Sequence, residues 1–414
     1  MSRRRFGFAT TAAAAIAMMA GASAPSPFYP TFQEDLGLSA AGITVAFAVY
    51  AVVLLAALLV VGSISDHVGR RPVLSVGLVL LAVGVLLLWD AGSVTVLLTA
   101  RGLQGLASGL LLSALSATIT DFAPPTRPQA AAVLNAVAPM IGLAAGALFA
   151  GLMLEVSPAP ASAVFLPLAA VYLVLAALVC VAPETSTRMP GWQRALRPRI
   201  AVPPAARGPF LRAVPVIVAG WATGGLFLSL GASIVRVQLH TDDHLAEAVV
   251  IGVLPATGAV AVLLLRRRPP RVAVVFGAAT LAVGTALSLL ALANGSFVGY
   301  LLAVIVVGSG FGTAFMGTVG ILAPLAQVHE RAELFAAIYT VSYLAFGVPA
   351  VVAGCLTSAL GLNTTVLCYG AAVTVFAATA AVLSIRAGHP APHAPASQDR
   401  TSVAGSGGNS ATSA

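Results

Sequence analysis

The sequence predicts an all-α, polytopic membrane protein with twelve transmembrane helices in two pseudo-symmetric six-helix bundles. Three observations predict it. First, 59% of the 414 residues are hydrophobic and 8% are charged, with a mean hydropathy of +0.99. A soluble fold of this length has too little interior to hide so much apolar surface. Second, the apolar residues form long runs without strand-like alternation, and a bilayer core of about 30 Å takes roughly 20 of them per helix. Helices satisfy their own backbone there, whereas a barrel would need a two-residue period. Third, charge alternates from loop to loop. All 21 basic residues are arginine. They gather at the chain ends and in every second loop, while the loops between carry Glu34, Asp35, Asp90, Glu155, Asp242, Asp243 and Glu247. Arg236 is the exception. This asymmetry places both termini in the cytoplasm, makes the number of spans even and assigns the chain to a plasma membrane. It also gives the net charge of +8 an origin other than a nucleic-acid surface.

The spans are predicted at 7–30, 39–63, 72–90, 94–121, 129–154, 161–182, 212–236, 245–265, 272–294, 297–324, 332–358 and 363–386. In the first, Arg3, Arg4 and Arg5 precede an alanine-rich run ending in Ala22, Ser23 and Ala24, which imitates a secretory signal. Pro25 follows at once and the apolar stretch continues through Phe28 and Tyr29, so an uncleaved helix is expected. Residues 183–211 are the longest internal hydrophilic segment and read as a cytoplasmic linker between bundles at 1–182 and 212–386. Residues 387–414, rich in Pro, Ala, Ser and Gly, are expected to be a disordered cytoplasmic tail. One offset relates the halves. Gly105 and Gly308, Gly109 and Gly312, and Gly151 and Gly354 are each 203 residues apart (308 − 105, 312 − 109, 354 − 151). The same shift superposes the basic loops near Ser63 and Arg266, as a six-plus-six parallel repeat requires.

Between the second and third spans lies a polar joint with Gly62, Asp66, His67, Gly69, Arg70 and Arg71. Gly62 admits a close helix approach, and Gly69 suits a positive-φ turn. Asp66 is placed to cap the third span or to face the positive end of a helix from the other half. Arg70 and Arg71 are placed to pair with Asp121 at the end of the fourth span. The pattern G-x-x-x-D-x-x-G-R-R, in a twelve-span chain, resembles the signature loop of the major facilitator superfamily. Ser26 to Pro30, the Tyr50 region and Pro183-Glu184-Thr185 resemble its bacterial drug-efflux members. The resemblance implies that this loop latches the cytoplasmic ends of the two halves when the protein faces outward. His67 stands where that family usually has Arg or Lys, and the related loop at 264–271 has neither the Asp nor the Gly, so the latch is expected to be asymmetric.

Arg101 sits about seven residues into the fourth span, roughly 10 Å from its start. An unpaired charge at that depth costs a few kcal/mol or more, roughly, which marks it as functional unless it snorkels. With Gln104 it resembles the family's fourth-helix motif, whose Arg and Gln face the central cavity; the resemblance implies a role in tuning proton coupling or in binding an anionic group. In the fifth span Pro139, Gly142 and Gly146 meet half of the family's antiporter pattern; Ala138 and Leu143 replace two of its glycines, and close helix packing explains the element equally well. No carboxylate falls near mid-membrane. Glu34 and Asp35 are the coupling candidates if the first helix runs deeper than drawn, and are otherwise ordinary loop acids.

Polar and aromatic candidates for a cavity between the halves are Ser26, Tyr29, Tyr50, Asn135, Trp221, Thr257, Tyr339, Ser342 and Tyr343. Such a cavity suits a hydrophobic or amphipathic compound better than a sugar. The three cysteines lie within apolar runs with no ligand spacing and read as packing residues. No phosphate-cradling loop is present, which argues against ATP-driven pumping. The expectation is a monomeric secondary transporter exporting a small hydrophobic or cationic molecule by proton antiport. Its partners would be that small molecule and membrane lipid, with no nucleic acid, no metal and no cofactor beyond a proton gradient. The alternatives are an uptake symporter or facilitator, and a polytopic membrane enzyme or sensor using His240, Asp242, Asp243 and His244.

Overall fold

The computed structural model describes residues 3–124, 129–191, 193, 196, 198–241, 243–327 and 330–386. The tail expected at 387–414, and Asp242 of the histidine cluster, lie outside these residues.

The described chain contains twelve helical stretches long and apolar enough to cross a membrane. The first is in two pieces, α1 (Arg3–Ser23) and α2 (Tyr29–Leu36), joined by a 3₁₀ turn at Ser26–Phe28. The others in the first half are α3 (Ala40–Val61), α5 (Arg70–Trp89), α6 (Val94–Phe122), α7 (Gln129–Val156) and α8 (Pro160–Val181), with a short α4 (Ser65–Val68) before α5. The second half holds α9 (Pro204–Gln238), α10 (His244–Leu265), α11 (Pro270–Ala293), α12 (Phe297–Leu322), α13 (Arg331–Leu360) and α14 (Leu362–Arg386). Two boundaries differ from expectation. The first stretch runs on to Leu36 because the chain bends after α1 at Pro25 without stopping; Pro27 and Pro30 sit in first helical turns, which need no N–H. The seventh starts at Pro204 rather than 212. Its early turns bury Ala206 and Phe210 against Leu322, Leu334 and Ile338, so part of the expected linker is helix.

The two ends of the bundle finish their helices differently. At the arginine-poor end, Ser39, Ser93, Asp243 and Ser296 accept backbone N–H groups at the starts of α3, α6, α10 and α12. At the arginine-rich end, cations meet helix C-termini, where the carbonyls lack partners and the dipole is negative. Arg4 donates to Asp121, Phe122 and Ala123 carbonyls at the end of α6, Arg71 to Cys180 at the end of α8, and Arg271 to Ser384 and Ile385 at the end of α14.

Glycine contacts repeat between halves. Gly105 of α6 lies against the Tyr50 carbonyl and Leu54 of α3, and Gly308 of α12 against the Leu254 carbonyl and Thr257 of α10. Gly109 then meets Ala57, as Gly312 meets Gly258. The halves join through two equivalent seams: α7 on α10, where Gly151 abuts Ala248, and α3 on α13, where Gly354 abuts Thr44. A Cβ at any of these glycines would collide with backbone or side chain, so close helix approach depends on them.

The start of α5 is held from far along the chain. Glu184 accepts the Arg70 N–H at 2.9 Å and the Arg71 N–H at 3.1 Å, and also those of Thr185 and Ser186 at 3.0 Å. The expected cap, Asp66, does not take this place: Glu184 has the reach to span both N–H groups, while Asp66 turns to Arg70. Partial burial raises the Glu184 pKa, but the four backbone hydrogen bonds outweigh it and hold the carboxyl below its ordinary value. A depressed folded-state pKa means that the stabilisation is complete above the ordinary glutamate value and lost as pH falls through the lowered one. Glu184→Gln is therefore expected to cost about 1 kcal/mol at neutral pH, the usual worth of a helix cap. Thermal melts of detergent-purified protein should show that loss, and should show it shrinking on acidification.

Candidate functional site

The polar joint is rigidly hydrogen-bonded. Gly69 adopts φ 116°, a conformation that favours glycine, and so turns α4 into α5. Arg70, nearly buried, gathers three groups: Asp66 at 2.6 Å, Ser65 at 2.5 Å and Asp121 of α6 at 3.6 Å. Asp121 also accepts from Thr185 at 2.8 Å, and the Asp66 carbonyl accepts from Ser186 Oγ and the Met189 N–H. Gly62 ends α3, and its carbonyl accepts Ser113 of α6. Arg71 does not join Asp121; it reaches the Cys180 carbonyl. Every partner named for this joint belongs to the first half or to residues 184–189.

Deeper in the bundle, Arg101 is completely buried. It donates to Gln104 Oε1 at 2.7 Å and lies over the Tyr50 ring, 4.4 Å from its centroid. Gln104 Nε2 donates to the Gly21 carbonyl at 3.2 Å. That carbonyl is open for a backbone reason. Its helical donor would be residue 25, and Pro25 has no N–H. Tyr29 is equally buried, and its hydroxyl, like Nε and Nη2 of Arg101, has no hydrogen-bond partner among the described residues. No carboxylate among them pairs with Arg101. Ser26 is buried in the 3₁₀ turn just before Tyr29.

The aromatic candidates converge. Trp221 of α9 lies 5.0 Å from Tyr343 of α13, 5.6 Å from Phe346 and 5.6 Å from Phe315 of α12. Tyr339 extends this cluster at 6.2 Å from Tyr343. Phe346 then meets Phe47 of α3 at 4.7 Å, which carries the cluster across into the first half. Ser342 is buried beside it with its hydroxyl unpartnered. Phe346, Phe315 and Phe47 were not among the expected residues. Phe346 follows Tyr339 and Tyr343 at seven- and three-residue spacing on one helix face, a signal present in the sequence. Two candidates lie elsewhere. Thr257 bonds back to Val253 and Leu254 and packs on Gly308, and Asn135 donates to the Ser116 carbonyl between α7 and α6. Pro139 lies inside α7, while Gly142 and Gly146 press on Ile16, Met19 and Ala20 of α1.

At the arginine-poor end stands an ion cluster that sequence reasoning missed. Arg236 of α9 reaches Glu34 of α2 at 3.1 Å and Glu247 of α10 at 2.8 Å. Glu34 is exposed, as is Asp35, but Glu247 is fully buried. The sequence suggested a loop acid at Glu247, whereas it lies in the first turn of α10 facing inward, held by its cation. The signal was Arg236, the arginine out of place in the loop pattern. His240 follows the end of α9 with φ 50°, and His244 lies 4.0 Å from Glu247. No group of three metal-ligating side chains forms among the described residues.

A family model described as Major Facilitator Superfamily matches residues 11–348. Among curated relatives, a protein named multidrug resistance protein MdtL from Klebsiella pneumoniae (strain 342) is 39% identical over 80 residues, covering 19% of this chain and 20% of that protein. An MdtL from a second Klebsiella pneumoniae strain is 35% identical over 80 residues, and one from Salmonella dublin 36% over the same length, with the same coverage. The match thus spans about a fifth of those relatives' length. The family match, by contrast, runs from within α1 to the middle of α13, through both halves. This chain belongs to the major facilitator superfamily, a family of membrane transporters.

Proposed function

We propose that the protein is a monomeric secondary transporter that exports a small hydrophobic or cationic compound from the cell by proton antiport. The arginine-rich end is then cytoplasmic, with both termini, and lipid of the plasma membrane surrounds the helices. The halves, taken as 1–182 and the chain from α9 onward, rock about the α7–α10 and α3–α13 seams to give alternating access. The observation that carries this reading is the aromatic cluster joining Phe47 to Phe346, Trp221, Tyr343 and Tyr339, because it belongs to both halves. Ring faces attract apolar bodies and cations alike, and offer little to a sugar or a dicarboxylate. The relatives named as multidrug resistance proteins support export as the direction.

Arg101 and Gln104 are assigned to coupling. A buried guanidinium with two unanswered donors sets the potential that any proton or cation in the chamber must meet. Asp66 is assigned to the latch. In this conformation its carboxylate is spent on Arg70, and the outward-facing state would turn it to the second half.

Purified protein in lipid vesicles tests the reading. Inverted insertion with an acidic lumen should concentrate members of a hydrophobic-cation panel, and a protonophore should abolish the accumulation. Gradient-independent equilibration would identify a facilitator instead, and movement together with protons a symporter. Arg101→Ala is expected to lower gradient-driven accumulation about tenfold, the scale of an ordinary coupling free energy, while binding of the same compound in detergent holds. Asp66→Asn is expected to reduce transport by about an order of magnitude with membrane insertion unchanged, since it removes a conformational contact and no span. Full transport by Asp66→Asn would dismiss the latch.

A further inference from the structure

The arginine-poor end closes around one guanidinium shared by two carboxylates. Glu34 stands on α2 in the first half, and Arg236 and Glu247 on α9 and α10 in the second. Their exposures differ: Glu34 is 73% exposed, Arg236 22% and Glu247 0%. If this end opens, α2 parts from α9 and the Glu34–Arg236 contact breaks. The Arg236–Glu247 contact stays, because both residues lie in the same half, joined by the short connector 239–243.

We propose that Glu247 is a positioning residue for gating: a resident counter-ion that keeps Arg236 neutralised when Glu34 leaves, and so lets this end open. A half-buried guanidinium stripped of every carboxylate is costly. With Glu247 ionised, opening exchanges two partners for one. With Glu247 neutral, opening exchanges one partner for none, and the closed state is favoured. Around Glu247, Arg236 faces it from α9 and Glu34 from α2. On its own helix His244 lies 4.0 Å away and Asp243 caps the first turn, while Glu155 ends α7. α12 and the 3₁₀ turn contribute no charged residue among those described.

This inference rests on the alternating-access reading above, and its test uses no substrate. Nitroxide labels at Asp90→Cys and Asn294→Cys, exposed positions in one loop of each half, report the separation of this end by pulsed electron resonance. The labelled chain carries serine at Cys180, Cys355 and Cys368. Glu34→Gln is expected to raise the long-distance population about threefold, as loss of an exposed ion pair allows. Glu247→Gln is expected to do the opposite, lowering that population about tenfold, because opening then strands a half-buried charge. Should Glu247→Gln not fold, Glu247→Met, of similar length and uncharged, is expected to act likewise. Glu247→Asp, which keeps the charge, should resemble the parent. A longer or unchanged distance in the neutral Glu247 variants overturns the proposal, as does an unchanged distance in Glu34→Gln. Failure to transport any compound would defeat the efflux reading and leave these distances intact.

Discussion

The architecture depends on how closely backbones approach at the two seams between halves. Gly151 on Ala248 and Gly354 on Thr44 bring α7 to α10 and α3 to α13 near enough for main-chain atoms to touch side chains across the boundary. In lipid, where apolar burial supplies no drive for helix association, such packing is what is left to hold helices together. It is also a smooth surface. Small side chains interlock little, so the contact resists separation more than it resists rotation. Ion pairs stand at the ends of the bundle instead, Arg70 with Asp66 at one and Arg236 with Glu34 and Glu247 at the other.

Charge placement follows the same economy of partners. At one end arginines finish helices by meeting their last carbonyls; at the other, serine and aspartate hydroxyls and carboxylates meet the first N–H groups. Charges that depart from this scheme are each explained by a specific neighbour. Arg70 has Asp66 and Asp121, and Arg236 has Glu34 and Glu247. Arg101 has an aromatic face and an amide but, among the described residues, no carboxylate, which sets it apart from both.

Much of this was legible in the sequence because lipid imposes a simple rule: runs of about 20 apolar residues must be helices. The twelve spans, the repeat and the convergence of Trp221, Tyr339 and Tyr343 all follow from period and position. What stayed hidden depends on partners distant along the chain. Glu184 is 114 residues from the N–H group of Arg70 that it accepts, and its role as a cap leaves no local pattern. Glu247 looked like a loop acid because burial is decided by Arg236, on another helix. The two displaced boundaries share one cause. Prolines at 27, 30 and 204 each occupy a first helical turn, where a missing N–H is no loss.

The proline elbow in the first membrane stretch has a reach beyond its own bend. By withholding one hydrogen atom, Pro25 leaves the Gly21 oxygen available, and Gln104 answers it from α6. Gln104 in turn orients Arg101, which settles on Tyr50 of α3. Three helices are thus tied at depth through a vacancy in the hydrogen bonding of one of them. The orientation of a fully buried guanidinium is inherited from a defect in the main chain, and the elbow serves as the molecule's internal reference point as well as its joint.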